Sequence, residues 1–207
     1  MIIRLEPIND SNRDAVLALS VREDQPFVAT NEVSLWQADE ANAEQPGVAR
    51  PFAIYADEKL VGFCMFVFNP EEEDEDDRYW LWRFMIDKSE QGKGYGQAAL
   101  QEIIKYFKKN GADRLFLSTE PENELGLHIY HKAGFRETGI IDGDEAVLMR
   151  MLKGPNRIIR MSTASMWIRP CASRARRATA SALPSKAETA ISSPTAPAAD
   201  AMARTSR

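Results

Sequence analysis

The chain has 207 residues, 44% of them hydrophobic, and a formal net charge of −5. This is enough apolar material for one packed domain and an appendage, and no apolar run approaches the roughly 18 residues of a membrane span. MIIRLEPIND lacks a basic region followed by an apolar one, so no secretory signal is read and a cytoplasmic setting is expected.

In chain order, IIRLEPI reads as a first strand and SNRDAVLALS as a first helix capped by Ser11 or Asp10. FVATNEVSLWQADEANA contains a second short helix beginning near Ser34. PFAIYA and LVGFCMFVF are apolar and rich in β-branched or aromatic residues, and Asp57-Glu58-Lys59 between them predicts a hairpin. Within that run Cys64 reads as a small buried hydrophobe. EEEDEDD is a charged turn before the strand YWLWRFMID. From Tyr95 to Lys109 the residues Ala99, Leu100, Ile103, Ile104 and Phe107 share one helical face, and Asn110-Gly111 ends it. RLFLS is a short strand, ENELGLHIYHKA a helix stopped by Gly134, and FRETGIID with EAVLMRML a closing pair of strands. The order β, α, α, β, β, β, α, β, α, β, β predicts a mixed α/β (α+β) sheet domain.

Charge divides the chain. Residues 154–207 hold nine basic and two acidic residues, a balance of +7, which leaves −12 for residues 1–153. The segment 154–207 is rich in Ala, Ser, Thr, Pro and Arg without apolar periodicity, so a disordered tail is expected beyond a domain at 1–153. The basic tail reads as a nucleic-acid or partner arm, or as an extension without a specific role; nucleic acid is not an expected partner. The cysteines, Cys64 and Cys171, lack disulfide or metal spacing. His128 and His131 lie three apart with no third ligand, so no metal is implied.

The stretch RFMIDKSEQGKGYGQAALQ places Gly92, Gly94 and Gly96 where a strand passes into a helix. The first N–H groups of a helix lack intrahelical partners and its dipole makes that end positive. Glycines let the backbone turn tightly and meet a ligand without a Cβ in the way. Gln91-x-x-Gly94-x-Gly96 therefore reads as an anion cradle suited to a pyrophosphate. It is neither a Walker loop nor G-x-G-x-x-G.

These residues, with Asn123 and the run Tyr130-His131-Lys132-Ala133-Gly134-Phe135 downstream, resemble the GNAT superfamily of acyl-coenzyme A dependent N-acetyltransferases over about residues 1–152. EDQPFVATNEVSLWQA, YWLWRFMIDKSEQGKGYG and PENELGLHIYHKAGF look more narrowly like bacterial spermine/spermidine (diamine) acetyltransferases. The resemblance implies a mostly antiparallel sheet, flanked by helices and splayed between the strands at 79–87 and 113–118. Acetyl-coenzyme A would lie in the splay, on Gln91, Gly92, Lys93, Gly94, Tyr95 and Gly96, on the strand at Met85, Ile86 and Asp87, and on Asn123. A backbone N–H near Met85 would polarise the thioester carbonyl. Asn123 also reads as a helix cap.

By the same resemblance Tyr130 would be the general acid. Several polyamine acetyltransferases carry a glutamate in the glycine-loop strand where this chain has Leu81-Trp82-Arg83-Phe84, which leaves Glu120 as candidate base. A polyamine site needs spaced carboxylates with apolar surface between them, and Glu23, Asp24 and Glu32, around Phe27 and near Trp36, fit that need. The acidic run Glu71–Asp77 reads as a steering patch or as a solubilising hairpin tip. The expected reaction is acetyl transfer to a small primary amine, without a metal and with a homodimer as the family expectation. Transfer to another amine, or acyl-coenzyme A binding without catalysis, stays open.

Overall fold

The computed structural model describes residues 1–153. The tail expected at 154–207, with Cys171, lies outside the described residues. Seven strands form one sheet: β1 Ile3–Pro7, β2 Ala49–Ala56, β3 Lys59–Phe68, β4 Tyr79–Ile86, β5 Arg114–Thr119, β6 Arg136–Asp142 and β7 Glu145–Met151. Their spatial order is β1-β2-β3-β4-β5-β7-β6. Four helices, α1 Arg13–Leu17, α2 Asn31–Glu44, α3 Tyr95–Lys109 and α4 Glu124–Lys132, occupy the connections. The element order matches the sequence reading.

Period-two patterning sets the two faces of the sheet. On β3, Cys64, Phe66 and Phe68 face α3, whose Leu100, Ile103 and Phe107 are fully buried. Phe63, Met65 and Val67 face the opposite layer, where Val16 of α1 and Leu35, Ala38 and Ala41 of α2 cover them. Because β3 is buried on both sides, it reads in sequence as a continuous apolar run rather than an alternating one.

Neighbouring strands are antiparallel except β4 and β5. The crossover through α3 makes that pair parallel, and it is held at a single register position, Trp80 with Phe116. On its other side β4 stays paired with β3 out to Ile86. A β-bulge there leaves Trp82 as the extra residue between Leu81, opposite Phe66, and Arg83, opposite Met65. The sheet is thus open between the far ends of β4 and β5, as the family resemblance implied.

Both helix starts expected near the N-terminus are corrected. The N-cap of α1 is Asn12, without a side-chain cap bond. Ser11 is held instead in a local turn, its N–H and hydroxyl both donating to Asn9 Oδ1. The second helix begins at Asn31, not near Ser34, because Thr30 accepts from the Val33 N–H and acts as the cap. Ser34 lies one turn inside and returns its hydroxyl to the Thr30 carbonyl at 2.9 Å.

At the other end the domain closes through backbone bonds. The N–H groups of Leu152 and Lys153 both donate to the Asp113 carbonyl, at 2.7 and 3.2 Å, and Lys153 Nζ donates to the Gly111 carbonyl. A chain ending at Lys153 should therefore keep the melting temperature of the full chain to within a few degrees by calorimetry. Loss of cooperative unfolding on that truncation would place part of the fold beyond Lys153.

Candidate active site

Where β5 leaves β4, a cavity of about 260 Å³ opens. Its walls are Phe84, Met85 and Ile86 of β4, Glu90 to Gly92 and Gly94 to Gln97 of the loop and the start of α3, and Asn123, Leu125, Gly126, His128, Ile129 and Tyr130 of α4, with Val21, Gln25, Phe27 and Val28 from the α1–α2 connection. The sequence-nominated Met85, Ile86, Gln91, Gly92, Gly94, Tyr95, Gly96, Asn123 and Tyr130 are all in this wall. Asp87, Lys93 and Glu120 lie beside it.

The glycine loop has the geometry its composition requires. Gly92 and Gly94 have φ of +78° and +83°, conformations that side chains with a Cβ resist. Gly94 is the N-cap of α3 and offers no side-chain cap, and no acidic residue stands in the first turn. The helix thus presents its free N–H groups and positive dipole end without an internal anion. Gln91 fixes the loop's entry: its Nε2 donates to the Ile86 carbonyl at 2.9 Å and to Gln25 Oε1 at 2.8 Å. Its Oε1 is buried without a partner among the described residues. Asp87 accepts from the Ser20 N–H and from the Ser89 N–H and hydroxyl. Burial raises its pKa, but those donors outweigh it and hold the carboxyl below its usual value.

On the facing side Asn123 caps α4. Its Oδ1 accepts from the Gly126 N–H at 3.0 Å and its Nδ2 donates to Thr119 Oγ1 at 2.9 Å. Tyr130, 9% exposed, stands one face further along α4 with its ring against Phe135. Burial pushes the phenol well above its ordinary pKa, and the carboxylates of Glu145 and Glu120 add to the push. Glu120 follows the last residue of β5 and is half-buried. Glu145 enters from β7 because Thr119 pairs with Ala146, so the next residue on each strand is a glutamate.

The α1–α2 connection reaches the cavity through Val21, Gln25, Phe27 and Val28, of which Phe27 was named in the sequence reading. Glu23, Asp24, Glu32 and Trp36 are exposed and outside the cavity wall. Asp24 pairs with Arg22 at 3.0 Å, and Trp36 lies on α2 at 39% exposure. Arg83 turns away toward α2, where its Nη2 donates to Gln37 Oε1 at 2.6 Å. The acidic run 71–77 caps the β3–β4 connection, at the end of β4 opposite the glycine loop, with Glu75 and Asp76 in ion pairs. Arg114 pairs with Asp76 at 2.9 Å and Glu75 at 3.1 Å.

Residues to which sequence reasoning gave no place in the cleft include Phe84, Glu90, Leu125 and His128 of the wall, and Glu145 beside Tyr130. Glu90 stood in the quoted motif, one residue before Gln91; Glu145 became visible only through strand register. His131, the second histidine, pairs with Glu137 at 2.6 Å and is not part of the cavity wall.

Residues 14–135 match the family model described as the acetyltransferase (GNAT) family. The chain belongs to the GNAT family. It is 32% identical over 157 residues to the spermine/spermidine N(1)-acetyltransferase of Bacillus subtilis strain 168, a match covering 73% of this chain and 100% of that protein. The probable spermine N(1)-acetyltransferase of Bacillus subtilis subsp. natto matches to the same extent. The GNAT fold is shared with the spermidine N-acetyltransferase of Vibrio cholerae in complex with CoA and spermine. That structure has a TM-score of 0.56 and 17% identity over 72% of this chain and 95% of that one. It is shared also with the PaiA N-acetyltransferase of Thermoplasma acidophilum in complex with coenzyme A, with a TM-score of 0.54 and 17% identity over 73% and 99%. The splay between β4 and β5 therefore lies within the fold of a GNAT-family N-acetyltransferase.

The GNAT cleft depends on the packing of one glycine. A Cβ on Gly126 would lie 2.7 Å from Asn123 Cγ, so the cap would have to leave. Gly126→Ala should destabilise the protein by roughly 1–2 kcal/mol in urea titration, the scale of a lost cap. Wild-type stability in that variant would mean that Asn123 is not what orders the start of α4.

Proposed function

We propose that the protein transfers the acetyl group of acetyl-coenzyme A to a primary amine, and that its substrate is a polyamine such as spermidine or spermine. The observation that carries this reading is the 32% identity to a spermine/spermidine N(1)-acetyltransferase matched along 100% of its length. The cleft supports it with an uncapped, glycine-rich helix start on one side and a buried tyrosine on the other.

In this reading the N–H groups of Gly92 to Gly96 hold the coenzyme pyrophosphate, Lys93 adds positive charge, and the β4 edge at Met85 and Ile86 runs beside the pantetheine arm; Asp87, whose N–H donates to the Val61 carbonyl and whose carbonyl accepts from the Glu90 N–H, fixes the end of that edge. Tyr95 packs beside it and Asn123 contacts it while capping α4. Bound there, the coenzyme supplies an electrophilic thioester carbonyl. A backbone N–H near Met85 donates to the carbonyl oxygen.

The attacking amine must be neutral, and an alkylammonium has a pKa of about 10. Glu120 takes its proton, directly or through a water, and its charge together with that of Glu145 makes this end of the cleft attractive to a cation. Apolar Val21, Phe27 and Phe84 accommodate methylenes. Glu23, Asp24 and Glu32 with Trp36, set outside the cavity, would meet a distal ammonium group at its rim.

As the C–N bond forms and the C–S bond breaks, Tyr130 donates to the leaving sulfur. A tyrosine phenol with its ordinary pKa of about 10 is already protonated at physiological pH, and burial moves Tyr130 further in that direction. A thiol ordinarily titrates near 8.5, below that phenol, so Tyr130 stabilises the sulfur first as a hydrogen-bond donor.

Three outcomes test the reading. In a thiol-release assay with acetyl-coenzyme A, spermidine and spermine should turn over with higher kcat/KM than amino acids or aminoglycosides. Turnover of a different amine would replace the substrate, and coenzyme binding without any turnover would remove the activity. Tyr130→Phe should lower kcat by roughly 10²-fold with little change in coenzyme affinity. In the wild type the rate should rise as the amine deprotonates toward about pH 10, with no fall from Tyr130 below that pH; a native kcat in the variant demotes Tyr130 to packing. Gly94→Val, strained at φ +83° and bulky at the anion site, should weaken coenzyme binding by about tenfold or more. Unchanged affinity in a folded Gly94→Val protein contradicts the assignment of the loop.

A further inference from the structure

Just before the glycine loop, a buried carboxylate is shared between two lysines that come from different parts of the chain. Glu90 is 4% exposed. Its Oε1 accepts from Lys59 Nζ at 2.6 Å, and its Oε2 accepts from Lys93 Nζ at 3.1 Å. Lys93 lies inside the glycine loop and also donates to the Ser89 carbonyl at 2.9 Å. Lys59, by contrast, is the first residue of β3, 31 positions before Glu90. It reaches the loop because Gly62 pairs with Ile86 and the Asp87 N–H donates to the Val61 carbonyl, which sets the start of β3 beside the exit of β4.

The charges of this cluster do not cancel. A carboxylate removed from water demands cationic partners, and one lysine would satisfy that demand as an ion pair of zero net charge. Here two lysines serve one carboxylate, so the cluster carries +1. The other carboxylate nearby, Asp87, is held by the Ser20 and Ser89 donors and sits beside Lys88. The hydrogen bonds and charges of Lys59 and Lys93 hold Glu90 in its ionised form, so its negative charge is permanent at neutral pH. An anion arriving at the N–H groups of Gly92 to Gly96 therefore approaches a fixed buried negative charge one residue from Gln91. Whether that charge repels it depends on how fully the two lysines neutralise it.

We propose that Lys59 is a positioning residue for the coenzyme site: by compensating Glu90, which lines the cavity while Lys59 does not, it leaves the charge of Lys93 available to a phosphoryl anion at the glycine loop. The inference rests on the reading of that loop as the coenzyme site. Lys59 touches neither the cavity nor the reacting atoms, so its effect falls on binding and not on the chemical step. Removing Lys59 leaves Lys93 and Glu90 as a neutral pair, with Lys93 committed to the carboxylate. Removing Glu90 as well frees Lys93 again.

The test uses the full chain and four proteins: wild type, Lys59→Met, Lys59→Arg and the double variant Lys59→Met/Glu90→Gln. The dissociation constant for coenzyme A is measured by titration calorimetry, and KM for acetyl-coenzyme A and kcat by thiol release. The side chain of Lys59 is 63% exposed, so the single variants should melt as the wild type does; Lys59→Gln substitutes for Lys59→Met if it does not.

Lys59→Met should raise Kd and KM by about fivefold, the upper range for a partly exposed charge, with kcat unchanged. Lys59→Arg should restore the wild-type values, and the double variant should recover most of the loss. At about 1 M salt, where the screening length is about 3 Å, the Lys59→Met penalty should largely vanish. A penalty that persists in high salt, or a double variant no better than Lys59→Met, would make Lys59 a packing residue and overturn the proposal. So would wild-type coenzyme binding with unchanged affinity in Lys59→Met. Failure of the wild type itself to bind coenzyme A would instead overturn the reading of the loop, and the role of Lys59 with it.

Discussion

A parallel strand pair that holds at one position and then lets go is the constraint on which the cleft depends. β4 and β5 meet at Trp80 and Phe116, where the two rings stack with centroids 5.2 Å apart. Beyond that point β4 keeps its antiparallel partner β3 but loses its neighbour on the other edge. A strand edge with unpaired N–H and C=O groups is normally a liability. Here it lines the cavity that also receives the start of α3. The bulge at Trp82 alters the strand within the same stretch, so that Phe84 reaches the cavity while Arg83 reaches α2.

Electrostatics then give the two sides of the cleft opposite characters. On the coenzyme side stand the uncapped amino end of α3 and the +1 cluster of Lys59, Lys93 and Glu90. On the α4 side, burial raises the pKa of Tyr130 and the carboxylates of Glu145 and Glu120 add to the rise. Under the proposed function, a phosphorylated cosubstrate and a cationic amine would be drawn to different sides. The acidic run Glu71–Asp77, the most conspicuous charge feature of the sequence, lies at the end of β4 remote from the glycine loop. It sits at the closed end of the splay and is engaged by Arg78 and Arg114.

Much of this was legible in the sequence because it rests on local rules. The span of α3, Tyr95–Lys109, follows from the spacing of Ala99, Leu100, Ile103, Ile104 and Phe107 and the stop at Asn110-Gly111. Gly92 and Gly94 have the positive φ that their place at a strand-to-helix junction suggested. What escaped reading depends on contacts between distant segments or on competing side-chain bonds. Thr30 caps α2 while Ser34, an equally good capping type, bonds back inside the helix. Lys59 and Glu90 meet only through the β3–β4 register, and Glu120 and Glu145 only through the β5–β7 register. In the α1–α2 connection the sequence reading named Glu23, Asp24 and Glu32 around Phe27; of these Phe27 lines the cavity, together with Val21 and Val28, and the carboxylates lie outside its wall. Sequence spacing in a loop does not determine which side chains turn inward.

The central claim is that the open edge of β4 and the glycine loop together receive the coenzyme. Amide hydrogen exchange with and without coenzyme A tests this at the backbone groups concerned. Protection should increase in Phe84–Asp87 and in Gly92–Ala98, and remain unchanged in the β2–β3 hairpin tip at Asp57-Glu58 and in the acidic turn at 71–77. Binding of coenzyme A with protection confined to other segments, or with none in the glycine loop, would contradict it.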